Sequence, residues 1–408
     1  MDSQRAGAVQ GTAEVIILGA GPAGLVLGNI LRAAGIDCVV LERAARAELR
    51  TRARAGFLAA NTVRILDRHG LADGLRRHGK EHSTCEFRTD GGRFRLDYGS
   101  LGRGERHTLY PQQYLVADLL ARYEKAGGRI RFAAEALAVT DADAGRTRPS
   151  VTVRAEDGRP GRWQGRYIAG CDGRHGAARR SLPPGTVRRH HLDLGVSWLG
   201  LLAEAPPSLD AIGYAVHARG FAGHMPRTAE VTRYYLQCAR GTPVDHGSDA
   251  WIWGELDLRM RAAEHGPLHR GRFLQRMVID LESDVLEPLR HGSLLLAGDA
   301  ASLLSPSAAK GANLAVLEAE LLADALIAAL RRGSTEELDG YSARCLTHVR
   351  QAQRFSQWMT RLLHDLPHPP GRAETSPYHE PLQKRPCLDT LRTSRAEQDW
   401  FAEQYVGI

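Results

Sequence analysis

The chain has 408 residues, of which 43% are hydrophobic and 25% are charged, and its formal net charge is +7. This length allows two or three domains with a large buried core, and no apolar run approaches the ~18 residues that a membrane span needs. The positive charge comes from fifty Arg and four Lys. Because these side chains are scattered along the chain, they do not predict nucleic-acid binding.

The N-terminus and the cysteines indicate where such a chain would act. Residues 1–12 lack both the basic start and the apolar core of a signal peptide, so we expect a disordered tail there. The six cysteines show no paired or C-x-x-C spacing, which predicts free thiols, no metal site and a reducing cytoplasm.

A βαβ unit is predicted between residues 14 and 42. The apolar run Val15–Leu18 is followed directly by a glycine-rich turn, then by a helical pattern over Leu25–Ala34. A second apolar run, Cys38–Leu41, ends at Glu42. The glycines of the turn, Gly19, Gly21 and Gly24, have the G-x-G-x-x-G spacing typical of dinucleotide-binding proteins.

Each part of this unit has a chemical reason. Gly19 allows the tight turn, Gly21 lets the backbone approach a pyrophosphate, and Gly24 lets the helix pack on the strand. The helix N-terminus offers unpaired N–H groups and partial positive charge to the phosphates. Glu42, about 20 residues beyond the glycines, can accept hydrogen bonds from a ribose. The unit therefore predicts an adenine dinucleotide, whereas a turn that binds nothing would explain neither Glu42 nor three glycines.

The rest of the chain reads as a mixed α/β sequence. Helical patterns are predicted over 56–69, 113–127 and most of the chain after 314. A strand is predicted over 87–98, a hairpin over 151–163, and a strand from Tyr167 that ends in the Asp-Gly turn at 172–173. Pro183–Pro184 is a plausible domain boundary, after which residues 189–290 are rich in strand patterns. A further buried strand, Leu294–Leu296, leads into Gly298–Asp299.

Three motifs now stand in order: the glycine triplet, Cys171–Gly173 with its Asp172, and Gly298–Asp299. This trio resembles the flavoprotein monooxygenases of the aromatic hydroxylase class, most closely the p-hydroxybenzoate hydroxylases. Further matching segments run nearly end to end: Arg52–Gly56, Tyr167–Gly173, Trp198–Leu202, Arg219–Ala222, Ala309–Gly311, Arg354–Ser356 and Tyr405–Gly407. Taken alone, Gly298–Asp299 could be an ordinary turn.

The resemblance implies an α/β fold with a Rossmann-like FAD-binding domain, a β-sheet-rich substrate domain and C-terminal helices. We expect the FAD-binding domain at 13–188, completed by 293–333, the substrate domain at 189–292, and a C-terminal helical interface region at 334–408. It also implies bound FAD, NAD(P)H as co-substrate, O₂ and a homodimer. The expected FAD-binding residues are Gly19, Gly21, Gly24, Glu42, Arg43, Arg54, Gln112, Asp172, Asp299, Gly311, Ala312 and Asn313.

Four of these positions, at two places in the chain, have a direct chemical rationale. Asp299 follows a buried strand and can hydrogen-bond a ribityl hydroxyl. Residues 311–313 open a helix whose N–H groups can face the electron-rich ring of a reduced flavin.

On the substrate side, a benzoate carboxylate calls for the bidentate guanidinium of an arginine. By resemblance Arg227 has this role, with Tyr235 donating a second hydrogen bond and Arg233 beside the flavin. On the residues alone, Arg227 could equally solvate a loop. Met225, Tyr214 and Ser307 are further expected substrate contacts, together with Pro306, whose carbonyl would face the reacting ring.

Hydroxylation is easier when a phenol loses its proton, so a buried site needs a proton path. Tyr214, Tyr405 and His82 match the relay of the family. Tyrosine can donate and accept at once, and histidine titrates near neutral pH. Without the resemblance, a C-terminal tyrosine and one of 17 histidines would be taken as structural.

Several positions depart from the family pattern. Met225 replaces a serine and Ser305 a proline, Ala312 replaces a leucine, and Gly223 and His224 also differ. We therefore expect 4-hydroxybenzoate or another para-substituted benzoate, such as one with an amino group or an extra ring substituent.

The nicotinamide donor is expected on the surface, near a set of basic residues. These are Arg43, Arg52, Arg54, His175 and Arg179. Glu48 and Glu282 stand where the family has tyrosine and arginine. A carboxylate repels a 2′-phosphate by roughly 1 kcal/mol at short range, which favours NADH or dual use.

The predicted activity is hydroxylation ortho to the para substituent of the benzoate, through a flavin C4a-hydroperoxide. Two alternatives stay open. One is another flavin enzyme, such as a dehydrogenase or a halogenase, and the other is a non-catalytic flavin-binding protein.

Overall fold

In a computed structural model, the described part of the chain comprises residues 9–51, 56–90, 92–143, 147–155, 158–262, 266–366 and 384–407. Its strands are β1 (Val9–Thr12), β2 (Val15–Leu18), β3 (Cys38–Leu41), β4 (Phe57–Leu58), β5 (Lys80–His82), β6 (Thr84–Thr89), β7 (Gly92–Asp97), β8 (His107–Leu109), β9 (Arg129–Arg131), β10 (Glu135–Thr140), β11 (Ser150–Arg154), β12 (Pro160–Gln164), β13 (Tyr167–Gly170), β14 (Arg188–Glu204), β15 (Ile212–Ala215), β16 (Ala222–Pro226), β17 (Thr232–Ala239), β18 (Arg272–Glu287), β19 (Arg290–His291), β20 (Leu294–Leu296) and β21 (Ser302–Leu303).

The α-helices of the same residues are α1 (Pro22–Ala33), α2 (Arg46–Thr51), α3 (Ala60–Arg68), α4 (Asp73–His78), α5 (Gln112–Lys125), α6 (Ala177–Arg180), α7 (Asp249–Arg259), α8 (Gly311–Ile327), α9 (Glu336–Leu363), α10 (Lys384–Thr393) and α11 (Arg395–Val406). None of these helices combines the length and the apolar character that crossing a membrane requires.

A six-stranded sheet, ordered β19-β20-β13-β2-β3-β9, carries the dinucleotide motif. The strands from β20 to β9 run parallel, and β2 and β3 are buried at every position. Strands buried on both faces are typical of parallel sheets covered by helices, which here include α1, α5 and α8. The predicted βαβ unit and the α/β fold are confirmed.

An eight-stranded sheet, ordered β21-β18-β14-β17-β16-β15-β6-β7, forms the second large layer. It takes in β6 and β7, although both lie within 13–188, the range assigned to the FAD-binding domain. The reason is a parallel pairing between β15 and β6, which a boundary drawn at a proline pair cannot show. The strand-rich stretch also contains helix α7, which the sequence did not predict and whose N-cap Ser248 accepts a hydrogen bond from the backbone N–H of Trp251 at 3.2 Å.

The expectation of a disordered tail over residues 1–12 is wrong for Val9–Thr12. These residues form β1, which pairs parallel with β12 at the edge of a four-stranded sheet. An edge strand of four residues has too little hydrophobic periodicity to stand out in the sequence. Residues 1–8 lie outside the described part of the chain.

Helix α11 brings the end of the chain back to the eight-stranded sheet. Ser394 caps it by accepting from the backbone N–H of Glu397, and Phe401 and Tyr405 are buried on its inner face. Both side chains belong to the hydrophobic cluster that also contains Tyr214 of β15. Helix α11 thus places the polar side chain of Tyr405 beside that of Tyr214 in the eight-stranded sheet.

Candidate active site

In the glycine turn after β2, two glycines stand where a side chain would clash and one faces open space. Gly19 has a φ of +93°, and a Cβ there would lie 2.5 Å from the carbonyl oxygen of Cys171. A Cβ at Gly24 would lie 2.0 Å from the carbonyl oxygen of Gly19, whereas one at Gly21 would meet open space. Helix α1 begins there without a side-chain cap, so its first N–H groups face that space. This arrangement fits a pyrophosphate.

Glu42 ties this turn to the end of β3. Its buried carboxylate accepts from the backbone N–H of Ala20 at 2.7 Å and from that of Ala44 at 2.8 Å. A carboxylate has about four acceptor positions, so two remain for hydroxyls. Its contact with a ribose stays a prediction.

Two further acidic positions lie at the same edge of the six-stranded sheet. Asp172 accepts from the backbone N–H of Ala178 at 3.1 Å, and its buried Oδ1 has no partner among the described residues. Burial raises the pKa of Asp172. Asp299 is half-buried in the helical turn Gly298–Ala300. Both positions follow the carboxyl end of a parallel strand, which is where ligands bind in sheets of this type.

The sequence did not single out Glu318, which supports the turn at Asp299. Its carboxyl group accepts from the backbone N–H of Gly298 at 2.6 Å and from the Ser302 hydroxyl at 2.9 Å. Burial raises the pKa of Glu318 to about 8. The signal in the sequence that could have identified Glu318 is a glutamate within an otherwise apolar helical pattern.

The N-terminus of α8 is the third part of the cradle. The helix starts at Gly311 without a side-chain cap, and a Cβ at Gly311 would meet open space, so the N–H groups of residues 311–313 can face a ligand. The Asn313 side chain itself is engaged elsewhere. It accepts from Ala59 N and Thr62 Oγ1, both at 2.8 Å, and donates to the carbonyls of Phe57 and Ala309 at 3.1 and 2.8 Å.

Asn313 therefore fixes the start of α8, and Asn313→Leu is expected to destabilise the protein by about 3 kcal/mol or more. The change leaves several buried polar groups without partners, at roughly 1–3 kcal/mol each. It should also weaken FAD binding, because the helix start loses its anchor. Urea unfolding and FAD titration test this. The control Asn29→Leu removes buried hydrogen bonds in α1 and should reduce stability with a smaller effect on FAD affinity.

Of the basic residues expected near the nicotinamide donor, Arg43 is exposed after β3, and Arg52 and Arg54 lie outside the described residues. His175 is exposed and accepts from Arg174 Nε at 2.8 Å. Gln112, an expected FAD contact, is the first residue of α5 and is half-buried.

Carboxylates already form ion pairs with the basic surface formed by Arg174, Arg179 and Arg189. Arg179 lies 3.1 Å from Asp284, which also pairs with Arg189 at 2.8 Å. Although burial raises the pKa of Asp284, these two guanidiniums lower it to about 2. Glu282 forms an ion pair with Arg174, so the glutamate noted in the sequence lies inside the basic surface.

One face of the eight-stranded sheet gathers the expected substrate residues. Tyr214 of β15 pairs with Gly223 of β16, which pairs with Tyr235 of β17. Two positions along, Met225 pairs with Arg233. Since directly paired residues and residues two apart share a face, these side chains point to the same side.

The turn Pro306–Ala308 packs against the same face. Ala308 belongs to the hydrophobic cluster of Tyr214 and Tyr235, and Met225 packs against that cluster. Pro306 is half-buried at the start of the turn, and Ser307 is buried. The structure therefore brings Tyr214, Tyr235, Met225 and the Pro306 turn together.

Arg227 lies just beyond β16, in a turn where its N–H donates to the carbonyl of Val231 at 3.1 Å. Burial lowers the pKa of Arg227 to about 10, with Tyr235 acting in the opposite direction and Arg233 adding to the decrease. Because the charges of Tyr235 and Arg233 act on it, Arg227 lies close to both of these side chains. A half-buried site with two guanidinium groups favours an anionic ligand.

The structure shows that His224 does not line this face. Its Nε2 accepts from Ser208 N at 3.1 Å, and its ring packs against Tyr234 at 5.4 Å on the opposite side of the sheet. The alternation of side chains along β16 explains why His224 and Met225 separate. Of these two departures from the family pattern, only Met225 affects the candidate pocket.

Ser305 belongs to a buried group of hydroxyls behind the Pro306 turn. Its hydroxyl lies 3.0 Å from that of Ser307 and 3.1 Å from that of Thr360, and its carbonyl accepts from Ser356 Oγ at 2.8 Å. The replacement of proline by serine thus fixes this turn to α9.

The expected relay begins with a direct contact between two buried tyrosines. The hydroxyls of Tyr214 and Tyr405 are 2.6 Å apart. Burial raises the pKa of both well above the usual value for tyrosine, so both hydroxyls stay protonated and each can donate while it accepts.

His82 joins this region through Tyr98, which the sequence did not indicate. His82 Nδ1 lies 2.8 Å from the Tyr98 hydroxyl, which in turn lies 3.3 Å from His107 Nδ1. The rings of Tyr98 and His107 contact the Tyr405 ring edge to face, with centroids 5.1 and 5.0 Å away. Neither residue belongs to a recognisable motif, so only the folded chain shows the cluster.

Lys310 anchors the same end of the chain. Its Nζ is buried and donates to the carbonyls of Gln404 and Tyr405 at 2.7 and 3.0 Å, and to that of Gly407. Burial lowers the pKa of Lys310 to about 7, whereas three carbonyl acceptors match the three N–H groups of the ammonium form and favour its charge. Lys310 thereby holds the backbone of the relay tyrosine in place.

Because several buried histidines are neutral, the protein is expected to become less stable as the pH falls. Burial lowers the pKa of His82 and His224 to about 4 and that of His364 to about 3, and it holds the pKa of His107 well below its usual value. A depressed pKa gives stability that is complete above pH 6.5 and is lost as the pH approaches the folded value. Each of these histidines should then cost about 2 kcal/mol between pH 7 and 5.

Glu318, Asp172 and Asp324 act in the opposite direction, because a raised carboxyl pKa adds stability as the pH falls, but the four histidines outnumber them. Urea unfolding at pH 7 and 5 measures the difference. A free energy of unfolding that is equal at the two values would contradict the assignment of neutral histidines.

The comparisons with known proteins agree with this geometry. Residues 12–356 match the family model described as an FAD binding domain. The chain is 36% identical over 395 residues to the p-hydroxybenzoate hydroxylase of Acinetobacter baylyi, covering 97% of this chain and 95% of that protein. It is 28% identical over 368 residues to the 3-amino-4-hydroxybenzoate 2-monooxygenase of Streptomyces platensis, covering 84% and 86%.

A solved structure shows the same fold. The p-nitrophenol 4-monooxygenase of Pseudomonas putida superposes with a TM-score of 0.78 at 18% identity, covering 98% of this chain and 99% of that one. FAD is the cofactor and NAD(P)H the co-substrate. The chain belongs to the FAD-dependent aromatic hydroxylases of the p-hydroxybenzoate hydroxylase type.

Proposed function

We propose that this enzyme uses NAD(P)H and O₂ to hydroxylate 4-hydroxybenzoate, or a close para-substituted benzoate, ortho to the para substituent. The observation that carries the proposal is the buried contact of 2.6 Å between the Tyr214 and Tyr405 hydroxyls. Tyr214 lies on the sheet face that Tyr235 and Arg233 share, next to Arg227. One end of this pocket suits a carboxylate and the other suits a phenol.

Each side chain then has a separate task. Arg227 pairs with the carboxylate in a bidentate manner, which fixes orientation as well as charge, and Tyr235 donates a second hydrogen bond. Tyr214 accepts the phenol proton as it passes its own to Tyr405, which leaves the ring more nucleophilic. Arg233 and the Pro306 turn border the ring. FAD, when bound, supplies the activated oxygen, and the buried face excludes water from it.

The substrate proposal allows for a para-substituted benzoate other than 4-hydroxybenzoate. Met225 and Gly223 are the departures from the family pattern that lie on the pocket face, and the thioether of Met225 is a poor partner for a carboxylate. The Streptomyces platensis relative is named for an amino-substituted 4-hydroxybenzoate. An amino group or an extra ring substituent is therefore part of the substrate range to test.

For the electron donor we propose a preference for NADH, because Glu282 and Asp284 lie within the basic surface around Arg174 and Arg179. Glu282→Gln should improve the use of NADPH relative to NADH about fivefold. That corresponds to removing roughly 1 kcal/mol of repulsion on a 2′-phosphate. Steady-state KM values for both donors at saturating benzoate provide the measurement, and an unchanged ratio would exclude Glu282 from the nucleotide site. Glu287→Gln, at an exposed ion pair with Arg350, is the matched control.

A panel of benzoates tests the whole proposal. Holoenzyme is mixed with NADH and 4-hydroxy-, 4-amino-, 3-amino-4-hydroxy- or unsubstituted benzoate, and NADH oxidation and hydroxylated product are both recorded. The expected result is donor oxidation that accelerates with a para-substituted benzoate and matches product formed. Oxidation without product would favour a dehydrogenase. Chlorinated product in the presence of chloride would favour a halogenase, and a yellow protein that never oxidises NADH would favour a non-catalytic role. Light scattering would test the homodimer, which the proposal includes.

A further inference from the structure

The proton path as proposed leaves open how His82 takes part, and this inference rests on the proposed function. Within the described part of the chain, His82 forms no hydrogen bond with Tyr214 or with Tyr405. Its Nδ1 bonds to the Tyr98 hydroxyl at 2.8 Å, and its Nε2 is buried without a partner in the described part of the chain. A buried polar atom without a partner usually has a function or a bound water.

The hydrogen bonds around Tyr98 determine which nitrogen of His82 carries hydrogen. The Tyr98 hydroxyl lies 2.9 Å from the backbone carbonyl of His82, which can only accept. It also lies 3.3 Å from His107 Nδ1. We assign the ring hydrogen of His107 to Nε2, which leaves Nδ1 as an acceptor for the Tyr98 hydroxyl.

A hydroxyl has one hydrogen to donate. Two acceptors, the His82 carbonyl and His107 Nδ1, compete for the hydrogen of Tyr98. The remaining contact, with His82 Nδ1, is then one in which His82 donates and the Tyr98 oxygen accepts. His82 therefore carries its hydrogen on Nδ1, and its Nε2 has a free lone pair.

The same two side chains also fix the Tyr405 ring. Tyr98 contacts it edge to face with the ring planes at 75°, and His107 does so at 82°. Both residues are buried, with exposed fractions of 0% and 2%. A tyrosine held on two sides keeps its hydroxyl on Tyr214 instead of rotating away.

We propose that Tyr98 and His107 are positioning residues of the proton path, which hold His82 as a base at Nε2 and keep Tyr405 aligned between it and Tyr214. The proton that leaves the substrate hydroxyl breaks its O–H bond and, by successive transfers through Tyr214, Tyr405 and a water molecule between Tyr405 and the unpartnered His82 Nε2, forms an N–H bond at that nitrogen. Burial lowers the pKa of His82 to about 4, so the proton is passed on to solvent and does not stay there.

Other titratable groups face this cluster and belong to its pH dependence. Asp210 acts on His82, and Cys85, Asp97 and Tyr214 act on Tyr98. Lys310 acts on His107 and lowers its pKa further, in addition to the effect of burial. These groups are left unchanged in the variants that test the proposal.

The test uses the FAD-loaded full chain and the variant Tyr98→Phe, which keeps the ring and removes only the hydroxyl. Stopped-flow mixing with 4-hydroxybenzoate and a pH indicator measures proton release from pH 5.5 to 9. We expect release at least tenfold slower than in the wild type, with an altered pH profile, while benzoate affinity changes little. Thermal stability should fall, because the His82 carbonyl is left without its donor. Release at the wild-type rate with the same pH profile would overturn the inference.

His107 gives a second and independent comparison. His107→Leu removes the acceptor and should slow proton release, whereas His107→Asn keeps an acceptor near the place of Nδ1 and should restore part of the rate. Equal rates in the two variants would show that His107 only fills space and would overturn its role. A wild-type holoenzyme that releases no proton and oxidises NADH equally with and without benzoates would instead reject the proposed function itself.

Discussion

Replacing Tyr214 by Phe is expected to reduce hydroxylated product by about 10²-fold or more, while FAD stays bound and NADH oxidation continues. The variant keeps the buried ring, which packs against Phe87 at 5.4 Å, and removes the hydroxyl that lies 2.6 Å from Tyr405. Without that hydroxyl the phenol has no acceptor for its proton, so reduced flavin reacts with O₂ and releases peroxide. The measurement is the ratio of hydroxylated product and of hydrogen peroxide to NADH consumed.

The chain offers a matched control for this change. Tyr234 is also buried in the eight-stranded sheet, but it points to the opposite face and its hydroxyl contacts Ser208 at 3.2 Å. Tyr234→Phe removes an equally buried hydroxyl without touching the relay, so coupling should remain as in the wild type. If the two variants lose coupling to the same extent, the loss comes from damage to the sheet and not from impaired proton transfer. If Tyr214→Phe keeps full coupling, Tyr214 is not part of the path.

The six-stranded sheet could be predicted because its information is local. Strand, glycine turn, helix and strand follow one another within residues 14–42, and each step has a backbone reason, such as the positive φ at Gly19. The same holds for Gly298–Asp299, which directly follows β20. Motifs of this kind are visible in a sequence because their residues are neighbours in the chain.

The relay shows where local information ends. Tyr214 and Tyr405 are 191 residues apart, and their contact depends on α11 packing on a sheet to which it has no close link in the chain. The resemblance to the family supplied these two residues, but it did not supply Tyr98 or His107. Those two act only through hydrogen bonds and ring contacts that form once β7, β8 and α11 have come together.

The candidate pocket is a second case that the sequence could not resolve, because the position of a residue on its strand decides which face its side chain lies on. From the sequence, Met225 and His224 were equal departures from the family pattern. Alternation along β16 sends Met225 toward Arg233 and the pocket, and sends His224 toward Ser208 on the other face. The sequence showed that the residues differ, and the register of the sheet showed which difference bears on the substrate.

Arg227→Met is expected to raise the KM for benzoates about 30- to 700-fold, because it removes a charge-assisted bidentate pair worth roughly 2–4 kcal/mol. Methionine keeps much of the aliphatic stem, so packing in the half-buried turn is largely preserved. The effect should be larger on KM than on the maximal rate, since the carboxylate is bound equally in the substrate and in the transition state. Steady-state kinetics with 4-hydroxybenzoate and NADH give both values.

A substrate without the carboxylate separates recognition from damage to the fold. Phenol should bind weakly to the wild type and no more weakly to Arg227→Met, because it never used the guanidinium. Arg240→Met, which breaks exposed ion pairs with Asp193 and Asp280, should leave both substrates unaffected. If phenol and benzoate lose affinity equally in Arg227→Met, then Arg227 supports the turn after β16, and the neighbouring Arg233 becomes the cation that must bind the carboxylate.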